Sequence, residues 1–213
     1  MEAKLSRVSQ TLTPSPIQEL SHLAQRCGAI NLAEGFPDFP APPHVKEAAI
    51  SAINADLNQY RHVQGICDLL AATMRQNYGL EVNPLTDVVI CCGQSEAFAA
   101  AIFATINQGD EVLLFDPAYE TYESCIALAG GIPVYVPLDP PYWTLNVDKL
   151  MKSFTSRTKA VVLNRLVQKK LIDIGTVLTI QLEKFSVRKN FRPLLELAAK
   201  WTALLLQTKY MSI

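Results

Sequence analysis

The feature that most constrains the fold is an alternation of short apolar runs with helical patterns between residues 88 and 163. The apolar runs have the composition of strands, and the segments between them repeat their apolar residues at helical spacing. Strands with few charges that alternate with helices predict an α/β domain with a mainly parallel sheet covered on both faces. The predicted strands are Val88–Cys92, Glu111–Phe115, Ile132–Val136 and Lys159–Leu163, and the predicted helices are Ser95–Ile106, Glu120–Ala129 and Val147–Phe154.

The residues before this alternation predict helices rather than strands. Apolar side chains recur at helical spacing in Ile17–Arg26, His44–Ile53 and Gly65–Tyr78. Residues 35–43, between the first two of these helices, contain four prolines. Prolines at this density forbid regular structure and favour a stiff, extended segment.

Composition and charge exclude several classes of function. The chain has 213 residues, with 19 Lys and Arg against 20 Asp and Glu, so it has no excess positive charge for binding nucleic acid. It lacks both the roughly 18-residue apolar run of a membrane-spanning helix and an N-terminal secretory signal. The five cysteines form no Cys-x-x-Cys pair, and His22, His44 and His62 are scattered, which argues against a disulfide framework and a metal site. We therefore expect a cytoplasmic protein that binds neither nucleic acid nor membranes nor a metal ion.

The segment Gly93-Gln94-Ser95 lies just beyond a predicted strand, where parallel sheets bind their ligands. It precedes an alanine-rich helix that is apolar on nearly all sides and is therefore predicted to be buried. A helix N-terminus offers free N–H groups and the positive end of the helix dipole, and both suit a phosphate. The alternative is that Ser95 is only the N-cap of this helix.

Two further polar positions follow predicted strands. Tyr119, in Asp-Pro-Ala-Tyr, has a ring that can stack on a planar ligand or pack on its own neighbours. Asn164 ends the fourth predicted strand, where its amide can meet a polar substituent of a ligand or form part of a turn. Neither position identifies a ligand by itself.

Six motifs in a fixed order relate these positions to a known family. They are Gly-Phe-Pro-Asp-Phe (35–39), Asn-Gln-Tyr (58–60), Gly-Gln-Ser-Glu-Ala (93–97), Gly-Asp-Glu-Val (109–112), Asp-Pro-Ala-Tyr-Glu-Thr-Tyr (116–122) and Thr-Lys-Ala-Val-Val-Leu-Asn (158–164). Over residues 17–164 the chain resembles class I/II pyridoxal-phosphate aminotransferases, and among them the kynurenine aminotransferase and cysteine-conjugate β-lyase branch. The resemblance implies an incomplete fold-type I large domain, with its mainly parallel sheet flanked by helices, preceded by an N-terminal segment.

The resemblance also implies how these positions would hold pyridoxal 5'-phosphate. Gln94 and Ser95, with Gly93 at the start of their helix, would bind the cofactor phosphate. Tyr119 would stack on the pyridine ring, and Asn164 would lie beside the ring near its phenolic oxygen.

Two positions in the N-terminal part would complete the site. Tyr60 would reach the phosphate of the other subunit's cofactor, because sites in this family lie at a homodimer interface. Gly35 would contact the substrate carboxylate. The implied substrates are an amino acid and a 2-oxo acid.

The resemblance stops at Asn164. The family continues with a Pro-x-Asn-Pro-x-Gly turn, an Asp-x-x-Tyr whose aspartate pairs with the pyridine nitrogen, a Ser-x-x-Lys whose lysine forms the Schiff base, and a late arginine that binds the substrate carboxylate. The Ser186-Val-Arg-Lys189 segment has the Ser-x-x-Lys spacing, but it comes too early and has an arginine in place of the family's small residue. We therefore assign no catalytic residue and expect the chain alone to be inactive.

Residues 165–213 are interpreted as an aberrant, non-native tail, although Phe191–Gln207 has a helical pattern. Residues 183–213 can be back-translated with free choice of codons, and the nucleotides can then be read in the frame that starts at each codon's third base. In that frame they can encode Asp-Cys-Phe-Ala-Ile-Thr-Asp-Glu-Val-Tyr-Glu-Tyr, which contains the missing Asp-x-x-Tyr. Our hypothesis is an unspliced intron or aberrant exon followed by a frameshift, and the transcript sequence across Asn164 tests it. The predicted domains are 1–42, an N-terminal helix and extended segment, 43–164, the first half of the cofactor-binding domain, and 165–213, the tail.

The predicted function is amino-group exchange between an α-amino acid and a 2-oxo acid by a ping-pong mechanism, in a chain that holds only part of the enzyme. A β-lyase that cleaves a carbon–sulfur bond is a variant of the same cofactor chemistry. One alternative is a non-catalytic chain that binds the cofactor weakly or pairs with a full-length relative. A second is an unrelated α/β phosphate or nucleotide binder, which the lack of a Gly-x-Gly-x-x-Gly or Walker loop disfavours.

Overall fold

The computed structural model describes residues 6–35, 37–59, 64–164, 179–180 and 204–208. These residues form two compact units, one of residues 13–90 and one of residues 6–12 with the described residues from 91 onward. None of the described helices is long and apolar enough to cross a membrane. The elements are α1 (Arg7–Thr11), α2 (Pro16–Cys27), α3 (Pro43–Asn54), α4 (Gln64–Tyr78), α5 (Gly93–Thr105), β1 (Glu111–Asp116), α6 (Glu120–Leu128), β2 (Ile132–Pro137), α7 (Val147–Ser153), β3 (Thr158–Asn164), β4 (Thr179–Ile180) and β5 (Leu204–Thr208).

The unit of residues 13–90 contains α2, α3 and α4, and these three helices confirm the helical patterns predicted there. Helix α2 begins at Pro16, which suits the first helical position, and its N-cap Ser15 accepts a hydrogen bond from the backbone N–H of Gln18 at 3.2 Å. It ends at Gly28, whose φ of 62° is the left-handed conformation that glycine adopts readily at a helix C-cap. In α2 and α3, which the structure describes throughout, no residue is buried.

The other unit is built on a sheet with the strand order β2-β1-β3-β5-β4. Strand β1 runs parallel to both β2 and β3, β5 runs parallel to β3, and β4 is antiparallel to β5. The bounds of β1, β2 and β3 agree with the predicted strands to within one residue at each end. The mainly parallel α/β sheet is therefore confirmed.

Helices cover both faces of this sheet. Val112, Leu114 and Val162 point to one face and pack with α5 and α6, while Leu113 and Val161 point to the other face and pack with α7. The alternation follows from the geometry of a strand, in which successive side chains point to opposite faces. The two apolar clusters place the core on both sides of β1 and β3.

The predicted strand at Val88–Cys92 is wrong. These residues are not part of any strand, and Val89 is 78% exposed. A strand needs ladder hydrogen bonds to a neighbour, and none of the described strands pairs with this run. Apolar composition without a pairing partner does not produce a strand here.

The prediction that the alanine-rich helix is buried holds for one of its sides only. In α5, Phe98, Ala101 and Ile102 are buried, but Phe103 is 58% exposed. Only the side of α5 that contacts the sheet and α6 is covered within the described residues.

The helical pattern predicted for Phe191–Gln207 is wrong at its carboxyl end. Residues 204–208 form β5, in which Leu204 pairs with Ala160 and Thr208 with Asn164. A run of leucines suits a helix or a strand, and the edge of β3 supplies the ladder that decides between them. Residues 191–203 lie outside the described residues, and the three predicted domain limits stay predictions.

Glu111 is a buried acid at the start of β1, and its carboxylate accepts hydrogen bonds from Arg157 Nη2 at 2.6 Å and from Thr155 Oγ1. Its side chain is only 4% exposed. Glu111→Gln keeps the shape but removes the charge and one acceptor, so we expect the free energy of unfolding to fall by about 1–3 kcal/mol. Amide hydrogen exchange in β1 and β3 measures this loss. The control is Glu123→Gln, because Glu123 is exposed and its carboxylate accepts a hydrogen bond from the exposed Tyr135 hydroxyl. This substitution should change the free energy of unfolding by no more than about 0.5 kcal/mol. Equal losses for the two variants would contradict the prediction.

Candidate functional site

The carboxyl ends of β1 and β3 lie next to each other, as the parallel pairing requires, and a cleft opens beside them. The cleft is shallow and partly open to solvent. Most of its walls are apolar, with a tyrosine and an asparagine as polar groups, and this lining suits a flat ligand with few polar substituents. The lining residues are Leu114, Phe115, Pro117, Ala118, Tyr122, Val162 and Asn164.

Asn164 brings an unsatisfied amide to this cleft. It is the last residue of β3, not a turn residue, and its Oδ1 is buried without a hydrogen-bond partner among the described residues. An unpaired buried polar atom costs about 1–3 kcal/mol, so such atoms are rare in native proteins. Because Oδ1 only accepts hydrogen bonds, a ligand with an O–H or N–H donor on its ring would satisfy it.

The first turn of α5 lies in the same unit and is open at its N-terminus. The helix begins at Gly93, two residues before the predicted start, so Gln94 and Ser95 both lie in the first turn. Ser95 is therefore not the N-cap; Cys92 takes that position, and its side chain makes no capping bond. The Glu96 carboxylate accepts a hydrogen bond from the Cys92 N–H. Gly93 has a φ of 80° and no described atom within 4 Å of where a Cβ would stand, so a phosphate has room to approach.

Tyr122 lines the cleft and was not among the predicted site residues. It is 1% exposed, and its Oη accepts a hydrogen bond from Gln94 Nε2 at 3.2 Å. Its ring packs on Phe98, with 4.4 Å between ring centroids, and meets Tyr119 at 5.6 Å with the ring planes 79° apart. Tyr119 therefore packs on a neighbour with part of its ring, as its alternative interpretation stated, and stays half-buried. The signal that could have found Tyr122 is its place three residues after Tyr119, because Tyr119 is the N-cap of α6 and Tyr122 lies in the first turn of that helix.

The structure thus connects Gln94, Tyr119 and Asn164 through one side chain, Tyr122, which contacts the first two and lines the cleft with the third. Gly35 is exposed and belongs to the unit of residues 13–90. Tyr60 lies outside the described residues. The roles predicted for both stay predictions.

The described part of the site has no activated nucleophile. No lysine lines the cleft. Lys159 lies on β3 but five residues before Asn164, a distance of about 17 Å along a strand. Burial, and then the charges of Glu96 and Cys92, raise the pKa of the Cys91 thiol, so it is protonated at neutral pH. These groups can bind and orient a ligand, but they do not attack one.

Comparison with known proteins identifies relatives along most of the chain. Residues 28–166 match the family model described as aminotransferase class I and II. Over 151 residues the chain is 40% identical to the probable N-succinyldiaminopimelate aminotransferase DapC of Mycobacterium tuberculosis, and the aligned region covers 68% of this chain and 38% of that protein. Over 166 residues it is 37% identical to kynurenine–oxoglutarate transaminase 1 of Homo sapiens, and the aligned region covers 70% of this chain and 39% of that protein. The chain spans about two fifths of the length of these curated relatives.

Solved structures share the fold. The structure of N-succinyldiaminopimelate aminotransferase from Mycobacterium tuberculosis matches with a TM-score of 0.78 at 32% identity, over 95% of this chain and 50% of that chain. The structure of YbdL from Escherichia coli, a methionine aminotransferase, matches with a TM-score of 0.70 at 34% identity, over 75% of this chain and 43% of that chain. The α/β fold type predicted from the sequence is therefore the fold type of these structures.

Proposed function

The chain belongs to the class I and II aminotransferases, and on this premise we propose that it forms part of an enzyme that exchanges an amino group between an α-amino acid and a 2-oxo acid. The family generally uses pyridoxal 5'-phosphate, which supplies a carbonyl group and an electron-withdrawing ring for this exchange. Among relatives named for kynurenine, methionine and N-succinyldiaminopimelate, we propose the kynurenine aminotransferase branch, on the resemblance carried by the six motifs between residues 35 and 164. A β-lyase activity would use the same site.

The buried Oδ1 of Asn164, which has no hydrogen-bond partner among the described residues, is the observation that carries the proposal. It lies in an apolar cleft beyond the ends of two parallel strands, where a flat ligand with a polar ring substituent would satisfy it. The phenolic group of pyridoxal 5'-phosphate would donate to Oδ1 when it is protonated, and would accept from Asn164 Nδ2 when it is ionised. The residues present therefore fit the ring of this cofactor.

We assign the remaining contacts by the chemistry of each position. Gln94 and Ser95, in the uncapped first turn of α5, would bind the phosphate through N–H and O–H donors. Tyr119 would cover the face of the ring with the part of its side chain that Tyr122 leaves open. We retain Gly35 for the substrate carboxylate and Tyr60 for the cofactor phosphate across a homodimer interface. A cytoplasmic location likewise remains a prediction.

Asn164→Leu tests the proposal because its effects on binding and on stability should have opposite signs. Leucine keeps about the same volume but removes the amide, so the affinity for pyridoxal 5'-phosphate should fall about 10-fold. The free energy of unfolding should hold or rise by up to about 2 kcal/mol, because an unpaired buried polar atom is lost. Fluorescence titration with the cofactor measures the affinity, and urea unfolding measures the stability.

A structural asparagine provides the matched control. Asn146 is the N-cap of α7, and its Oδ1 accepts hydrogen bonds from the backbone N–H groups of Asp148 and Lys149. Asn146→Ala should cost about 1 kcal/mol of stability and leave cofactor affinity unchanged. If Asn164→Leu also loses stability with no change in affinity, Asn164 is structural and the proposal fails.

A non-catalytic role is the second candidate, and the lack of a lysine in the described cleft favours it. In this case the chain binds the cofactor phosphate weakly or pairs with a full-length relative. Co-purification of a full-length class I/II aminotransferase with the tagged chain would support pairing. We also retain as a proposal that residues 165–213 are a frameshifted tail.

A further inference from the structure

We propose that Tyr122 is a positioning residue that holds the Gln94 side chain in place at the phosphate end of the site and holds Tyr119 at the ring end. The inference rests on the proposed function, since it assumes that Gln94 contacts the cofactor phosphate. It concerns a residue to which neither the motifs nor the resemblance assigned a role.

Tyr122 is rigid enough for this role. Its side chain is 1% exposed, and its ring lies against Phe98, which is completely buried. Both residues belong to the apolar cluster that joins α5 and α6 to one face of the sheet. In a close-packed cluster of this kind the ring cannot rotate away without displacing its neighbours.

The hydroxyl group connects Tyr122 to the first turn of α5. Gln94 Nε2 donates to Tyr122 Oη at 3.2 Å, although the two residues are 28 positions apart. Gln94 is only half-buried, and a free glutamine side chain loses rotational freedom when it binds a ligand. A hydrogen bond to a fixed oxygen removes part of that freedom in advance and leaves a second amide N–H for an anion.

The ring of Tyr122 acts at the other end of the site. It contacts Tyr119 edge-to-face and forms part of the cleft wall together with Asn164. The hydroxyl and the ring therefore have separable effects. Removing the hydroxyl alone should weaken the phosphate end and leave the ring end intact.

Tyr122→Phe, made in the full 213-residue chain, tests this separation. Inorganic phosphate and pyridoxal 5'-phosphate are titrated while the amide signals of residues 93–95 are followed by NMR. We expect both affinities to fall about 2-fold to 10-fold, the range of one hydrogen bond, while pyridoxal without its phosphate binds as it does to the wild type. The control is Tyr135→Phe, which removes an exposed hydroxyl that donates to Glu123 Oε2 at 2.7 Å, and it should change none of the three affinities.

A second background decides whether Tyr122 acts through Gln94. Gln94→Met keeps the length of the side chain and removes the other end of the hydrogen bond. In this background Tyr122→Phe should have no further effect on phosphate affinity, because coupled residues are not additive. An equal loss in both backgrounds would overturn the inference and leave the proposed function standing.

Two further outcomes are also decisive. If phosphate and pyridoxal 5'-phosphate shift no amide signal of residues 93–95 in the wild type, the proposed function is overturned together with this inference. If Tyr122→Phe does not fold, hydrogen exchange of the Gln94 side-chain amide in the wild type decides. One protected N–H supports the hydrogen bond to Tyr122, and two rapidly exchanging N–H groups overturn it.

Discussion

The purified 213-residue chain should form glutamate from 2-oxoglutarate no faster than free pyridoxal 5'-phosphate does without protein, with L-kynurenine or L-methionine as the amino donor. The reason is that no lysine lines the described cleft, whereas the family uses its lysine at the reacting carbon as nucleophile and base. Among the described lysines, Lys159 is at the far end of β3, and Lys149 forms an ion pair with Asp139. Chromatographic detection of glutamate and of the 2-oxo product measures the rate.

The positive control for this experiment is a full-length relative, such as the methionine aminotransferase of Escherichia coli, under the same conditions. A rate that rises in proportion to the concentration of the 213-residue chain would contradict the prediction. In that case Lys159→Arg and Lys149→Arg would show whether either of these two lysines provides the amine. If the chain binds pyridoxal 5'-phosphate but remains inactive, binding and catalysis reside in different parts of the family fold.

The strands could be predicted where an apolar run also has a partner. β1, β2 and β3 are bounded by turn residues, and β1 pairs with both β2 and β3, so their limits follow closely from composition. Val88–Cys92 has the same composition, but none of the described strands pairs with it. Composition reports which structures a segment tolerates, whereas pairing is a tertiary property that the local pattern does not contain.

The place of one candidate site residue could be predicted because the carboxyl ends of parallel strands meet at one edge of a sheet. Asn164 lies at this edge as the last residue of β3, whereas the strand predicted before Gln94 does not form, and Gln94 lies in the first turn of α5. The ligand contacts assigned to both stay predictions. Tyr122 was missed although it ends a motif that was recognised. The packing of α6 against α5 brings Tyr122 to Gln94, and this contact between residues far apart in the sequence has no local signature.

Phe98→Ala should lower the free energy of unfolding by about 3–5 kcal/mol, the largest change we expect from a single substitution in this chain. Phe98 is fully buried at the centre of the α5 and α6 cluster, and its ring supports Tyr122. Truncation leaves a cavity that this close-packed cluster can fill only in part. Urea unfolding together with hydrogen exchange of the β1 amides measures the loss, and phosphate affinity should fall as Tyr122 loosens.

Phe103→Ala is the matched control, since Phe103 lies on the same helix and is 58% exposed. Its removal should change stability by no more than about 0.5 kcal/mol, because an exposed ring leaves no cavity. The pair of variants therefore tests how the alanine-rich helix is covered. A large loss at Phe98 with none at Phe103 means that α5 is buried on one side only. Large losses at both positions would mean that another segment or a second molecule packs on the outer face of α5 in solution, as its all-round apolar sequence first predicted.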